Sequence, residues 1–187
     1  MNASVNAYFD TLTGKRVAVL GIGVSNRPLI RMLLARGIET LACDKTPRDA
    51  LDPEVLELEQ LGAKLHVGPD YLDGITANVV FRTPGMHPDI PALRQLRASG
   101  AAVTSEMEVF FEVCPCKIIA VTGSNGKTST VEMIATVLRS QGKNVIYNAE
   151  GSNQVEGVTT LILTHATLGG RVNADVLLLE SDERYAA

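Results

Sequence analysis

The sequence has no tryptophan, few aromatic residues and no long apolar run, and each shortage narrows what the chain can be. Aromatic residues fill 4% of its 187 positions, and none alternates with a basic run. Positive charge is scarce too: 17 lysines and arginines face 21 acidic residues, for a formal net charge of −4. A nucleic-acid partner is therefore not expected. No stretch approaches the roughly 20 apolar residues that a membrane helix needs, so no membrane partner is expected either. The first residues, MNASVNAYFDTLTGKR, lack the charged start and apolar middle of a signal peptide, and a cytoplasmic location is the expectation. Three cysteines make no disulfide framework. Cys114 and Cys116 form a C-P-C pair with no second pair to complete a metal site, and His66, His87 and His165 stand at no ligand spacing. The thiols read as small buried hydrophobes.

What remains is the balance of a globular protein, 45% apolar and 20% charged, long enough for one large core or two modest ones. Short β-branched runs alternate with helical patterns, the signature of parallel α/β layering. Residues 16–23 (RVAVLGIG) predict a strand entering a tight turn. A helix follows, with Leu29, Ile30, Leu33 and Leu34 on one face and Gly37 as its stop. Residues 39–44 are a second strand, and Asp52-Pro53 caps a helix reaching Leu61 and closed by Gly62. Further strands are expected at 64–67, 78–81 and 102–104, with a helix over about 91–99. A second unit begins near Pro115: a strand at 117–122, a loop at 123–126, a helix at 127–140, and strands at 144–147 and 175–180.

The most specific chemistry lies at 117–130. The strand KIIAVT delivers the chain into a loop with glycines at 123 and 126, and a helix opens at once with Lys127. Glycine lets the backbone turn N–H groups inward, and the positive helix N-terminus favours a polyphosphate. Lys127 would reach the β- and γ-phosphate oxygens, and the Thr128 hydroxyl can ligate Mg²⁺. The ordinary Walker A spacing would place glycine at position 121, where this chain has Val121.

An earlier turn, Gly21-Ile22-Gly23-Val24-Ser25-Asn26, is a weaker signal. It fits a dinucleotide fingerprint except that Asn26 replaces the third glycine. Asp44 stands about 20 residues on, where a ribose-binding acid would be. An NAD-dependent enzyme is the competing reading, and a non-catalytic nucleotide-binding module is another. Downstream, the apolar run at 175–180 (DVLLLE) ends in Glu180-Ser181-Asp182-Glu183. A carboxylate at the carboxyl end of a parallel strand beside a phosphate loop is well placed for Mg²⁺, and Glu180 is the first choice, with Asp182 and Glu183 behind it.

TGSNGKTST at 122–130 resembles the ATP-binding loop of the Mur ligase family. With GIGVSN at 21–26, CDK at 43–45, TPG at 83–85 and TSEMEVFF at 104–111, the resemblance covers nearly the whole chain and is nearest to the D-glutamate-adding branch. It implies a Rossmann-like domain over 1–114 that binds a UDP-sugar. The remaining 115–187 would be the first part of a P-loop-type ATPase domain with a mostly parallel sheet. It also implies ATP and Mg²⁺, a UDP-linked muramoyl substrate, and an amino acid joined through an acyl phosphate. The implied phosphate contacts are Gly123, Ser124, Asn125, Gly126, Lys127, Thr128 and Ser129. Lys127 and Glu180 are implied for catalysis, and Thr128 and Glu180 for the metal. Gly23, Val24, Ser25 and Asn26 would hold the UDP diphosphate, Asp44, Lys45 and Thr46 would lie near the uridine, and Thr83, Pro84 and Gly85 would line the uracil pocket. Two stretches depart from that branch. ESDERY at 180–185 and NAEGSNQ at 148–154 look more like the Mur-ligase subunit of isoglutaminyl synthases, which act on another carboxylate with a partner chain. Family members continue beyond the point where this sequence stops, so a fragment, inactive alone, is the expectation.

Overall fold

The computed structural model describes residues 5–83, 85–114, 116–123, 125–147 and 174–181. Its contacts divide the chain into two compact units that part between Phe110 and Phe111. The division falls within the helix Glu106–Val113, a few residues before the boundary near Pro115 that the sequence suggests.

The first unit opens with helix α1 (Val5–Asp10) and strand β1 (Arg16–Leu20). Helix α2 (Asn26–Ala35) and strand β2 (Glu39–Asp44) follow, then α3 (Pro53–Gln60) and β3 (Lys64–Val67). Strand β4 (Val79–Arg82), helix α4 (Pro91–Ala98), strand β5 (Ala102–Ser105) and helix α5 (Glu106–Val113) complete the series. The sheet runs β3-β2-β1-β4-β5, with every pairing parallel. Strand order therefore reverses between β1 and β4, which is where ligands gather in open α/β sheets.

Burial explains why these segments take these forms. Val17 to Leu20 of β1 are all buried, as a central parallel strand covered on both faces requires. Leu29, Ile30 and Leu33 of α2 are buried, while Leu34 is half-buried. Asp52 caps α3 by accepting the Glu54 N–H at 3.0 Å, and Pro53 sits in the first turn, where its missing N–H does no harm. One face of the sheet packs Ala18, Leu20, Cys43 and Val80 against Leu93 and Leu96 of α4.

In the second unit, β6 (Lys117–Thr122), α6 (Lys127–Ser140), β7 (Val145–Tyr147) and β8 (Val176–Ser181) are described. Their sheet has the order β6-β8-β7 and is parallel throughout, so the downstream apolar run is the central strand beside β6, as its lack of alternation suggests. Val131 and Ala135 of α6 pack on Val145, Val176 and Leu178. Among the described residues, no helix is long and apolar enough to cross a membrane. The thiols are buried, and burial pushes Cys43 up to about 12. Burial, then the Cys114 sulfur 3.2 Å away, does the same to Cys116.

Candidate functional site

Each unit gathers predicted residues at the carboxyl edge of its own sheet. In the first, the chain leaves β1 through Gly21, whose φ is +92°. A Cβ there would stand 3.1 Å from that of Thr83, just after β4. Only glycine suits both the φ and the gap. Gly21 and Thr83 thus meet at the switch point of the sheet.

The turn is tied down atom by atom. Gly21 donates its N–H to the Cys43 carbonyl at 2.7 Å, and its own carbonyl accepts the Asn26 side-chain amide at 2.8 Å. Asp44 accepts the Ile22 N–H at 2.7 Å on one oxygen and the Thr46 N–H at 2.9 Å on the other. Burial raises the Asp44 carboxyl, but the Thr46 and Ile22 amides, the Thr46 hydroxyl and the Lys45 charge together hold it below the usual carboxylate range. Asn26 is buried, its side chain folded back where a dinucleotide fingerprint has its third glycine. The Gly23 carbonyl receives the Asn26 and Arg27 N–H groups as α2 begins. The N–H groups of Gly23, Val24 and Ser25 have no acceptor among the described residues. Gly23 and Val24 are exposed and Ser25 is half-buried, so the three donors stand in sequence at the start of α2, the arrangement that favours an anion. Lys45 is exposed and Thr46 half-buried beside them, Gly85 is exposed after β4, and Pro84 lies outside the described residues.

In the second unit, β6 ends at Thr122 and the loop passes Gly123 at φ +144° and Gly126 at φ +74°. Gly126 takes the left-handed conformation immediately before α6, with Lys127 next. Lys127 donates its ammonium to the Gly123 carbonyl, so the side chain folds over the loop. The first helical amide with an acceptor is that of Thr130, bonded to Gly126 at 3.0 Å. The N–H groups of Lys127, Thr128 and Ser129 have none among the described residues. Asn125, Thr128 and Ser129 are exposed, and Ser124 lies outside the described residues.

Glu180 pairs in register with Val121 on β6, beside the start of that loop. It is 6% exposed, and its Oε1 is buried without a hydrogen-bond partner among the described residues. A carboxylate oxygen buried this way is costly unless a cation or donor meets it. Among the described residues no group of three His, Cys, Asp or Glu could hold a metal. Asp182, Glu183, His165 and the 148–154 turn lie outside the described residues.

Other residues emerge only in three dimensions. Arg82, buried at the end of β4, donates to the Met86 carbonyl at 3.2 Å and to Glu108 at 3.0 Å, fixing the turn after Thr83 to α5. Arg27 reaches Ile22, Asp52 and Glu54. Their partners lie 25 to 27 positions away, apart from the local carbonyls, beyond the reach of periodicity. Helix α5 did leave a signal: Ser105 and Glu108 have capping-box spacing, and the Ser105 hydroxyl accepts the Glu108 N–H at 3.3 Å.

Known proteins bear on this arrangement. The family model described as "Mur ligase middle domain" matches residues 121–184. A UDP-N-acetylmuramoylalanine–D-glutamate ligase from Ruminiclostridium cellulolyticum is 46% identical over 143 residues, 76% of this chain and 31% of that protein. One of the same name from Clostridium novyi is 43% identical over the same shares. The chain thus spans about a third of the length of the curated relatives it matches. Among solved structures, a murein peptide ligase from Psychrobacter arcticus 273-4 aligns with 91% of this chain and 38% of its own, at 22% identity and a TM-score of 0.43. On the family model and the curated relatives, the chain belongs to the Mur ligase family.

Proposed function

We propose that the chain is the nucleotide-binding part of a cytoplasmic, ATP-dependent amide-bond ligase of peptidoglycan-precursor synthesis. Its substrates would be UDP-N-acetylmuramoyl-L-alanine and D-glutamate. The observation that carries the reading is the loop between β6 and α6. A left-handed Gly126, a lysine folded over the loop and the amides of Lys127, Thr128 and Ser129, without acceptors among the described residues, stand together inside the stretch that matches the Mur ligase middle domain. The names of the relatives favour D-glutamate over the isoglutaminyl-type acceptor suggested by 148–154 and 180–185.

In this reading, residues 115–187 belong to the ATP-binding domain. Gly123 to Ser129 receive the phosphates, the loop amides donate to their oxygens, and Lys127 exchanges the Gly123 carbonyl for the γ-phosphate end. Mg²⁺, when bound, neutralises charge on the phosphates. Glu180 and the Thr128 hydroxyl are hard oxygen donors that suit it, and the unpartnered Glu180 oxygen is the group that gains most from a cation. A site that relies on substrate phosphates and one or two protein oxygens needs no larger cluster. Residues 1–114 hold the UDP end of the substrate, the diphosphate on the amides of Gly23, Val24 and Ser25 with Asn26 bracing the turn. Asp44 shapes the uridine side through the backbone it ties, near Lys45 and Thr46, and Thr83, Pro84 and Gly85 face the base.

The chemistry is stepwise. An oxygen of the substrate carboxylate attacks the γ-phosphorus of ATP, the bond to the bridging oxygen breaks, and ADP leaves. The amine of the amino acid then attacks the resulting acyl phosphate carbon, phosphate departs, and the nitrogen loses its proton. The protein's contribution is positioning and charge neutralisation rather than a covalent nucleophile.

Calorimetric titration of Mg·ATP into the wild-type chain and Lys127→Ala tests the loop. A loss of about 2–5 kcal/mol is expected, the scale of deleting one partner of a buried charged contact. Equal affinities would remove the loop from the account.

A further inference from the structure

The glycine turn after β1 is held by a guanidinium to which the chemistry above gives no task. Arg27, in the first turn of α2, donates Nε to the Ile22 carbonyl at 3.3 Å. Its Nη1 donates to Glu54 at 2.6 Å and its Nη2 to Asp52 at 3.0 Å. The side chain is 14% exposed. Arg31, one helical turn on, bridges the same pair of helices through Glu57 at 3.1 Å but is 42% exposed and makes no hydrogen bond to the turn among the described residues.

Peptide planarity makes the Ile22 contact consequential. The Gly21 carbonyl and the Ile22 N–H belong to one rigid unit, held at its two ends by Asn26 and Asp44. The next unit carries the Ile22 carbonyl and the Gly23 N–H, which point in opposite directions. Its N–H has no acceptor among the described residues, so its carbonyl is its one tether, and that tether is Arg27. Gly23 has open space where a Cβ would be, so no side chain resists rotation of the unit. Rotated over, it would present a carbonyl oxygen to an approaching anion. Asp52 and Glu54 hold the guanidinium on its other side and balance its charge, so the residue acts through direction rather than attraction.

We propose that Arg27 is a positioning residue for nucleoside-diphosphate recognition, fixing the Ile22–Gly23 peptide so that the Gly23 N–H faces the diphosphate. This rests on the reading of 21–26 as the UDP-substrate site. Calorimetric titration with UDP, uridine and Mg·ATP, on the wild type, Arg27→Met and Arg31→Met, separates the two claims, with thermal melting to verify folding. Arg27→Met is expected to lose about tenfold in UDP affinity, the effect of one hydrogen bond to a charged group, while uridine and Mg·ATP bind as before. Arg31→Met, which breaks the neighbouring bridge and spares the turn, should match wild type for all three. If Arg27→Met does not fold, Arg27→Lys serves. Its single ammonium is drawn to the two carboxylates and leaves the carbonyl, so the same UDP-selective loss is expected. Wild-type UDP affinity in the variant, or equal losses for UDP and uridine, would overturn the role of Arg27. A wild-type chain that binds no UDP would overturn the site reading, and this proposal with it.

Discussion

At the scale of single residues, two carboxylates show how environment divides labour. Asp44 is satisfied: two backbone amides occupy its oxygens, and it serves the turn rather than standing open for a ribose. Glu180 is the reverse, a residue 6% exposed whose Oε1 has no partner among the described residues, beside the start of the loop after β6. A fold retains such a group at a cost of roughly 1–3 kcal/mol, which fits a residue kept for a bound cation. Glu180→Gln should therefore fold at least as stably as wild type without Mg²⁺, while the gain in ATP affinity on adding Mg²⁺ shrinks by about tenfold or more. Parallel titrations with and without Mg²⁺ check this. An unchanged Mg²⁺ effect would give the metal to another residue.

At the scale of elements, the strands were the legible part. Arg16–Leu20 and Lys117–Thr122 are β-branched runs closed by glycine, Glu39–Asp44 is a short apolar stretch between a glycine-stopped helix and a turn, and the structure has strands at each. The short apolar run of β8 was legible as a central strand because it does not alternate. That placement has a measurable consequence. Leu177 and Leu178 point to opposite faces, and both are buried. Leu177→Ala and Leu178→Ala should each destabilise the chain by about 2–5 kcal/mol in chemical denaturation. A mild effect from either would mean one face of β8 meets solvent. Helix α5 went unread because Glu106–Val113 contains neither glycine nor proline, and its apolar residues, Met107, Val109, Phe110, Phe111 and Val113, do not fall at clear helical spacing. What marks its start is a cap, Ser105 with Glu108, and Glu108 then turns its side chain to Arg82. The ties through Arg27 and Arg82 had no local signature, since a guanidinium's partners are chosen by the fold.

At the scale of the whole molecule, each of the two α/β units has, after a glycine turn at the carboxyl edge of its own parallel sheet, backbone amides without acceptors among the described residues. The loop at 122–130 was legible because strand, glycines, lysine and helix must follow in that order to hold a polyphosphate. The turn at 21–26 was legible only as a nucleotide site, because the strand order that positions it serves dinucleotides and sugar nucleotides alike. Asn26 and Asp44 separate these choices physically: one fills the space of the third fingerprint glycine, and the other spends its oxygens on the backbone. The central claim is thus that the first unit takes a UDP-linked muramoyl substrate. Thermal melting of the wild-type chain with UDP-N-acetylmuramoyl-L-alanine, and separately with NAD and NADP, tests it most directly, because a ligand that binds only the folded form raises its stability by mass action. The account predicts a rise in Tm with the UDP compound and none with either dinucleotide; a rise with NAD and none with the UDP compound would contradict it.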